Sequence, residues 1–180
     1  MTIDISESLE DILNQLGMTR ERFQEIPFLD ENKFRLTDFG NFNVLYDFSK
    51  DVFWQFVLKL GCFLQIRYDI DPRFTDSQRT FENPLWLLIE NAFTRGNKSD
   101  PTKTAEIKCF YSPTGFVIIV RDQGDGFNVR DVVTKLERGE RFWQDSGATF
   151  FWMQEDKVFT YSYNNKGNEA YMFCLTPQRF

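Results

Sequence analysis

Asp122-Gln123-Gly124-Asp125-Gly126-Phe127 stands one residue after the apolar run Phe116-Val117-Ile118-Ile119-Val120. The string sets a carboxylate at the end of a strand and then two glycines two residues apart. Glycine admits backbone angles and a closeness of ligand approach that a Cβ blocks. A carboxylate held there can accept a hydrogen bond from an exocyclic amine, which suits adenine. The same letters also spell an Asp-Gly hairpin turn, so they gain meaning only beside their neighbours.

Those neighbours must be positioned by a recognisable set of elements. Residues 6–30 read as two short helices, the first capped by Ser6 and carrying Leu9, Ile12, Leu13 and Leu16 up to Gly17. Thr19 caps the second, before Pro27. Together they form a helical extension over residues 1–40, packing on the main domain or on a second copy. Residues 41–48 alternate as Phe42, Val44, Tyr46 and Phe48, which predicts a strand. Ser49 then caps a helix whose apolar positions from Val52 to Leu64 recur at three and four.

A polar link leads to a second helix over about residues 76–95, either started or kinked at Pro84. Residues 105–111 and 115–122 form a hairpin. The charged stretch 127–146 holds a short helical piece in a surface segment, and 147–154 fit a short helix. A last hairpin pairs 157–163 with 169–175. This order predicts an α/β two-layer sandwich, a mixed and mainly antiparallel sheet with helices on one face, built by residues 41–180.

Composition removes several function classes. With 180 residues and 42% hydrophobic content, one real core is expected. The net charge of −6 argues against nucleic acid or an anionic membrane as partner. The chain has no His, which excludes a Ser-His-Asp hydrolase and a phospho-accepting histidine. Cys62, Cys109 and Cys174 are widely spaced in apolar surroundings, as buried thiols in a reducing cytosol would be. No signal pattern opens the chain, and the longest apolar stretch, 52–66, is too short to span a bilayer. A cytoplasmic protein is expected.

Three segments then stand in a telling order: Asn91-Ala92-Phe93-Thr94-Arg95-Gly96-Asn97-Lys98-Ser99-Asp100-Pro101, the Asp122-x-Gly124-x-Gly126 turn, and Ser146-Gly147-Ala148-Thr149-Phe150-Phe151-Trp152-Met153. Over about residues 40–175 the chain resembles the GHKL nucleotide-binding fold of gyrase, Hsp90, histidine kinases and MutL. Within that superfamily it is most similar to the anti-sigma-factor serine kinases. The resemblance implies a Bergerat-type fold, ATP or ADP as ligand, and Mg²⁺ held by Asn91 against the phosphates. It implies that Asp122 binds the adenine amine while Gly124 and Gly126 let the backbone approach base and ribose. Gly147 would open a turn whose N–H groups receive phosphate. Arg95 and Lys98 would add positive charge near the phosphates, or else are solvated surface cations. A regulatory protein partner, a sigma factor or an anti-anti-sigma-like protein, is implied too; dimerisation through the 1–40 extension or the first strand stays open.

Departures from the family pattern bear on activity. Active members place a Glu four residues before the Asn, one helical turn away; here that residue is Leu87. Glu90 is the nearby carboxylate, but it lies about 100° round the helix from Asn91. Thr149 stands where the last motif usually has its second glycine, and Arg95 replaces the usual His. The base-recognition half of the signature is intact, while the catalytic and phosphate half is eroded. The expectation is a nucleotide-binding regulatory module with weak or absent phosphotransfer; the alternatives are an active serine/threonine kinase using Glu90, and a scaffold that binds no nucleotide.

Overall fold

A computed structural model describes residues 10, 13–14, 24–25, 33–41, 43–53, 84–112, 115–140 and 160–175. Its centre is an antiparallel sheet. Strands β1 (Gln24–Glu25) and β2 (Lys33–Arg35) lie end to end along one edge. Next come β3 (Thr104–Ser112) and β4 (Gly115–Arg121), then β6 (Glu169–Leu175), with β5 (Thr160–Tyr163) at the far edge. Every described pairing is antiparallel, so the mixed sheet expected from the sequence is not seen among the described strands. The architecture is α+β, with the helices over residues 43–53, 84–96 and 129–137 packed on one face of the sheet.

The unbroken apolar run of β4 has a physical reason. Phe116, Ile118 and Val120 face the helices, while Val117 and Ile119 face the other side, and all five are buried. A strand covered on both faces has no polar alternation to show. On the second face Leu13, which lies in helical backbone, packs with Val117, Ile119, Tyr171 and Phe173. Part of the 1–40 stretch therefore covers the sheet from behind, and part of it, residues 24–25 and 33–35, is strand rather than helix.

Residues 41–48 correct the sequence reading. Residues 43–53 are one helix, α1, where the sequence predicted a strand over 41–48. Asn41 caps it: its Oδ1 accepts hydrogen bonds from the N–H groups of Asn43 at 2.9 Å and Val44 at 3.1 Å. The buried face is Leu45, Ser49, Val52 and Phe53, a spacing of three and four, and Val44 is 46% exposed. Ser49, expected as a cap, sits inside the helix and donates its hydroxyl to the Tyr46 carbonyl at 2.8 Å. The alternation of aromatic residues competed with a capping Asn, and the cap prevailed.

Helix α2 (Pro84–Asn91) continues into a wider π-helical turn, Ala92–Gly96. Helix α3 (Val129–Glu137) is the helical piece expected within 127–146. Asn128 Oδ1 accepts from the Asp131 N–H at 3.1 Å, Val129 and Val133 are buried, and Asp131 pairs with Lys135 at 2.7 Å. The expected helix at 147–154 and residues 157–159 of the last hairpin lie outside the described residues. Cys109 is buried, as its context suggested; Cys62 is outside the described residues. No helix among the described residues is long and apolar enough to cross a membrane.

Candidate functional site

Three loops meet at one end of the sheet: the end of α2 through residue 103, the turn after β4, and the β5–β6 turn. The first is shaped by the π turn. Thr94 donates its hydroxyl to the Glu90 carbonyl at 2.8 Å. The Asn97 N–H reaches the Ala92 carbonyl at 2.8 Å, and the Ser99 N–H reaches Phe93 at 2.9 Å. Lys98 and Ser99 follow with φ of 55° each, a left-handed pair without glycine. The π turn leaves Leu88, Asn91, Ala92 and Arg95 along the side of the helix that lines the site.

The Asp122 turn is tied to both neighbouring loops. Asn97 is buried, with its Oδ1 accepting from the Gln123 N–H at 2.9 Å and its Nδ2 donating to the Thr104 carbonyl at 3.0 Å. The Gln123 side chain closes the ring by accepting the Thr104 N–H at 2.7 Å. On the opposite side the Asp122 N–H donates to the Asn168 carbonyl and the Phe127 N–H to the Lys166 carbonyl, both at 3.0 Å. Asn168 is itself held by Asn164 at 3.0 Å. Within the turn, Asp122 Oδ1 accepts the Gly124 N–H at 2.7 Å. One oxygen of the carboxylate is thereby engaged in fixing its own loop.

The glycines make this crowding possible. A Cβ on Gly96 would fall 2.2 Å from Asp122 Cγ, and one on Gly124 would fall 2.0 Å from the Gly96 carbonyl oxygen. Gly126, at φ +78°, has the Lys166 carbonyl oxygen 1.9 Å from the same position. Room for a ligand was the sequence-based reason for Gly124 and Gly126. In the structure the space that their missing Cβ atoms leave is taken by neighbouring chain.

A cavity of about 160 Å³ opens above this floor. Asn91, Arg95, Asp122 and Gly126 all line it, so four of the expected site residues are brought together. Gly124 is buried beneath it. Lys98 stands apart, its ammonium 3.2 Å from Asp125 on an exposed surface. Glu90 does not line the cavity, and neither does Leu87, the position one turn before Asn91 where the resemblance expects the base. Gly147 and Thr149 lie outside the described residues. Tyr163, Asn168 and the backbone around Gly167 complete the wall. The sequence reading took this last segment only as a hairpin turn; its density of Asn and Gly was the available signal.

Burial pushes the Asp122 carboxyl above its usual range, against the opposing pull of the Gly124 N–H and the charges of Lys166 and Lys103. Tyr163 is buried nearby, and burial together with the Asp122 charge keeps its hydroxyl protonated well above the usual range. The described residues hold no cluster of three His, Cys, Asp or Glu that could bind a metal by itself. Asn91 offers one neutral oxygen, which suits a Mg²⁺ brought and mostly coordinated by phosphates rather than a protein-built cage. No family model matches the chain, and no curated protein matches it.

Proposed function

We propose that the chain is a nucleotide-binding regulatory domain of GHKL type, in which Asp122 accepts the exocyclic amine of adenine. The observation that carries this reading is the shared cavity. A half-buried carboxylate at its floor and Asn91 and Arg95 on its helical wall come from segments about 30 residues apart in sequence, in the order that the GHKL resemblance requires. The Asp122 turn is held from both sides, by the Gln123 N–H to Asn97 and the Asp122 N–H to Asn168, the preorganisation that a binding group needs.

The division of labour follows from what lies where. Adenine meets Asp122, and ribose and phosphates extend past Asn91 and Arg95. A cavity of about 160 Å³ is smaller than the ~300–1,000 Å³ of small-molecule sites and matches a base better than a whole nucleotide. With Leu87 in place of the expected base, phosphotransfer lacks a contribution typically worth about 10²–10⁴ in rate. The chain then acts by nucleotide-dependent binding of a regulatory protein in the cytoplasm, as anti-sigma kinases do, with Mg²⁺ arriving on the phosphates.

A second reading, a GHKL scaffold without nucleotide, draws on the glycines. Their Cβ positions are filled by protein, as a purely structural turn would have them. Thermal-shift titration separates the two readings. A ligand that binds only the native state raises the melting temperature, by about 2.7 kcal/mol of added stability at a hundredfold excess over Kd. A rise with ADP and ATP supports nucleotide binding; a flat response at millimolar nucleotide supports the scaffold. Radiolabelled ATP with candidate partner proteins tests the remaining alternative, an active kinase.

A further inference from the structure

We propose that the segment carrying Leu13 sets the geometry of the Asp122 turn from the far face of the sheet, through Tyr171, Glu169 and Arg121. Leu13 shares the buried cluster of that face with Tyr171, Val117, Ile119 and Phe173. The Tyr171 hydroxyl donates to Glu169 Oε1, and Glu169 Oε2 accepts from Arg121 Nε. Glu106 reaches Arg121 at 3.6 Å and holds Lys108 at 3.1 Å. The register aligns Lys33, Glu106, Arg121 and Glu169 directly across four strands, a row of alternating charge just below the loops.

The last step to the site is covalent. Arg121 precedes Asp122 and Glu169 follows Asn168, the two residues joined by the Asp122 N–H bond to the Asn168 carbonyl at 3.0 Å. Glu169 is 5% exposed, so its carboxylate must follow its partners; a buried charge without them is strongly unfavourable. Loosening the Leu13 contact frees the Tyr171 ring, shifts Glu169 and Arg121, and so reaches the Asp122 turn. Tyr171, Glu169 and Arg121 are positioning residues, and the Leu13 segment is the element through which the cavity is regulated. Only the ligand-affinity part of this inference rests on the nucleotide reading.

Tyr171→Phe isolates the link, because it keeps the ring in the cluster that holds Leu13 and removes one hydroxyl. Hydrogen exchange on the full chain without ligand should show the Asp122, Gly124 and Phe127 amides exchanging about tenfold faster, the loss expected for one hydrogen bond to a charged group. The amides of Val117 to Ile119 should stay as slow as in the parent. ADP affinity should fall in the same proportion. Leu13→Ala should speed the same amides, with the double variant adding less than the sum of the two. Unchanged exchange at residues 122–127 in Tyr171→Phe overturns the proposal, as does a uniform acceleration of the whole sheet. Local acceleration in a chain that binds no ADP upholds the positioning and removes the nucleotide reading.

Discussion

Gly96 and Asp122 are packed so closely that a Cβ on Gly96 would lie 2.2 Å from the Asp122 carboxyl carbon. The end of the π turn thus rests on the side chain proposed to read the base, and the absence of a methyl group there is what admits the carboxylate. This contact differs in kind from that at Gly124, whose Cβ would meet the backbone carbonyl of Gly96. A side-chain terminus can move aside, whereas a backbone cannot without shifting its element.

Gly96→Ala and Gly124→Ala should therefore fail differently. In Gly96→Ala the carboxylate is displaced, so ADP binding should drop at least about tenfold while urea denaturation shows a loss near the low end of about 1–3 kcal/mol. In Gly124→Ala the backbone itself is forced apart, and stability should fall by about 1–3 kcal/mol. Gly126→Ala should lose about 1–2 kcal/mol from its left-handed backbone alone, before the clash with Lys166 is added. Urea midpoints paired with ADP titrations check all three.

Asp122 should make the protein less stable as pH rises. Its carboxyl is raised in the folded state by burial, so the native protein holds the proton more tightly than the unfolded chain. The stability this contributes is fully present below the unfolded pKa and is lost as pH rises from the ordinary carboxylate range through the raised folded value. Asp122→Asn removes that part of the slope. Its amide oxygen can still accept the Gly124 N–H, so at neutral pH the variant should melt at or above the parent temperature. Melting curves taken from acid to neutral pH on both proteins check the sign.

Asn97→Ala should be among the more damaging changes outside the core. It removes a bond to the Gln123 N–H and a bond to the Thr104 carbonyl from a buried position. Leaving those backbone groups unpaired should reduce stability by about 1–3 kcal/mol. Asn97→Asp should not rescue it, because a carboxylate accepts from Gln123 but faces the Thr104 oxygen without a donor. Chemical denaturation of the two variants measures this.

How far the sequence showed this arrangement depends on the range of the interaction concerned. Strands β3, β4 and β6 were legible because turn residues bound runs of apolar and β-branched side chains, and Asn91, Arg95, Asp122 and Gly126 were legible as a motif. The helix over 43–53 was not, since the alternating Phe, Val and Tyr side chains masked a cap made by one short side chain, Asn41. The rings through Asn97 and Asn168 were hidden for another reason. They join residues 26 and 46 positions apart, and no local pattern reports on such contacts. The glycines were read as openings for a ligand because a motif states where glycine is needed and not which atom needs the space.

Leu87→Glu tests the account of activity. Leu87 lies one turn before Asn91 on α2 and is half-buried. If the missing carboxylate limits phosphotransfer, its return should raise ATP turnover in a protein that already binds ATP, toward the ~10²–10⁴ that general-base help supplies. Turnover unchanged despite intact ATP binding would place the defect elsewhere in the site. Phosphate release assayed on parent and variant side by side gives the comparison.

Calorimetric titration of ADP into the parent chain and Asp122→Asn addresses the central claim most directly. The expected result is one ADP per chain for the parent and an affinity at least about tenfold weaker for the variant, which loses the charged acceptor for the adenine amine, with melting temperature undiminished. Equal ADP affinity in the two proteins, or no heat of binding in the parent at millimolar ADP, would contradict it.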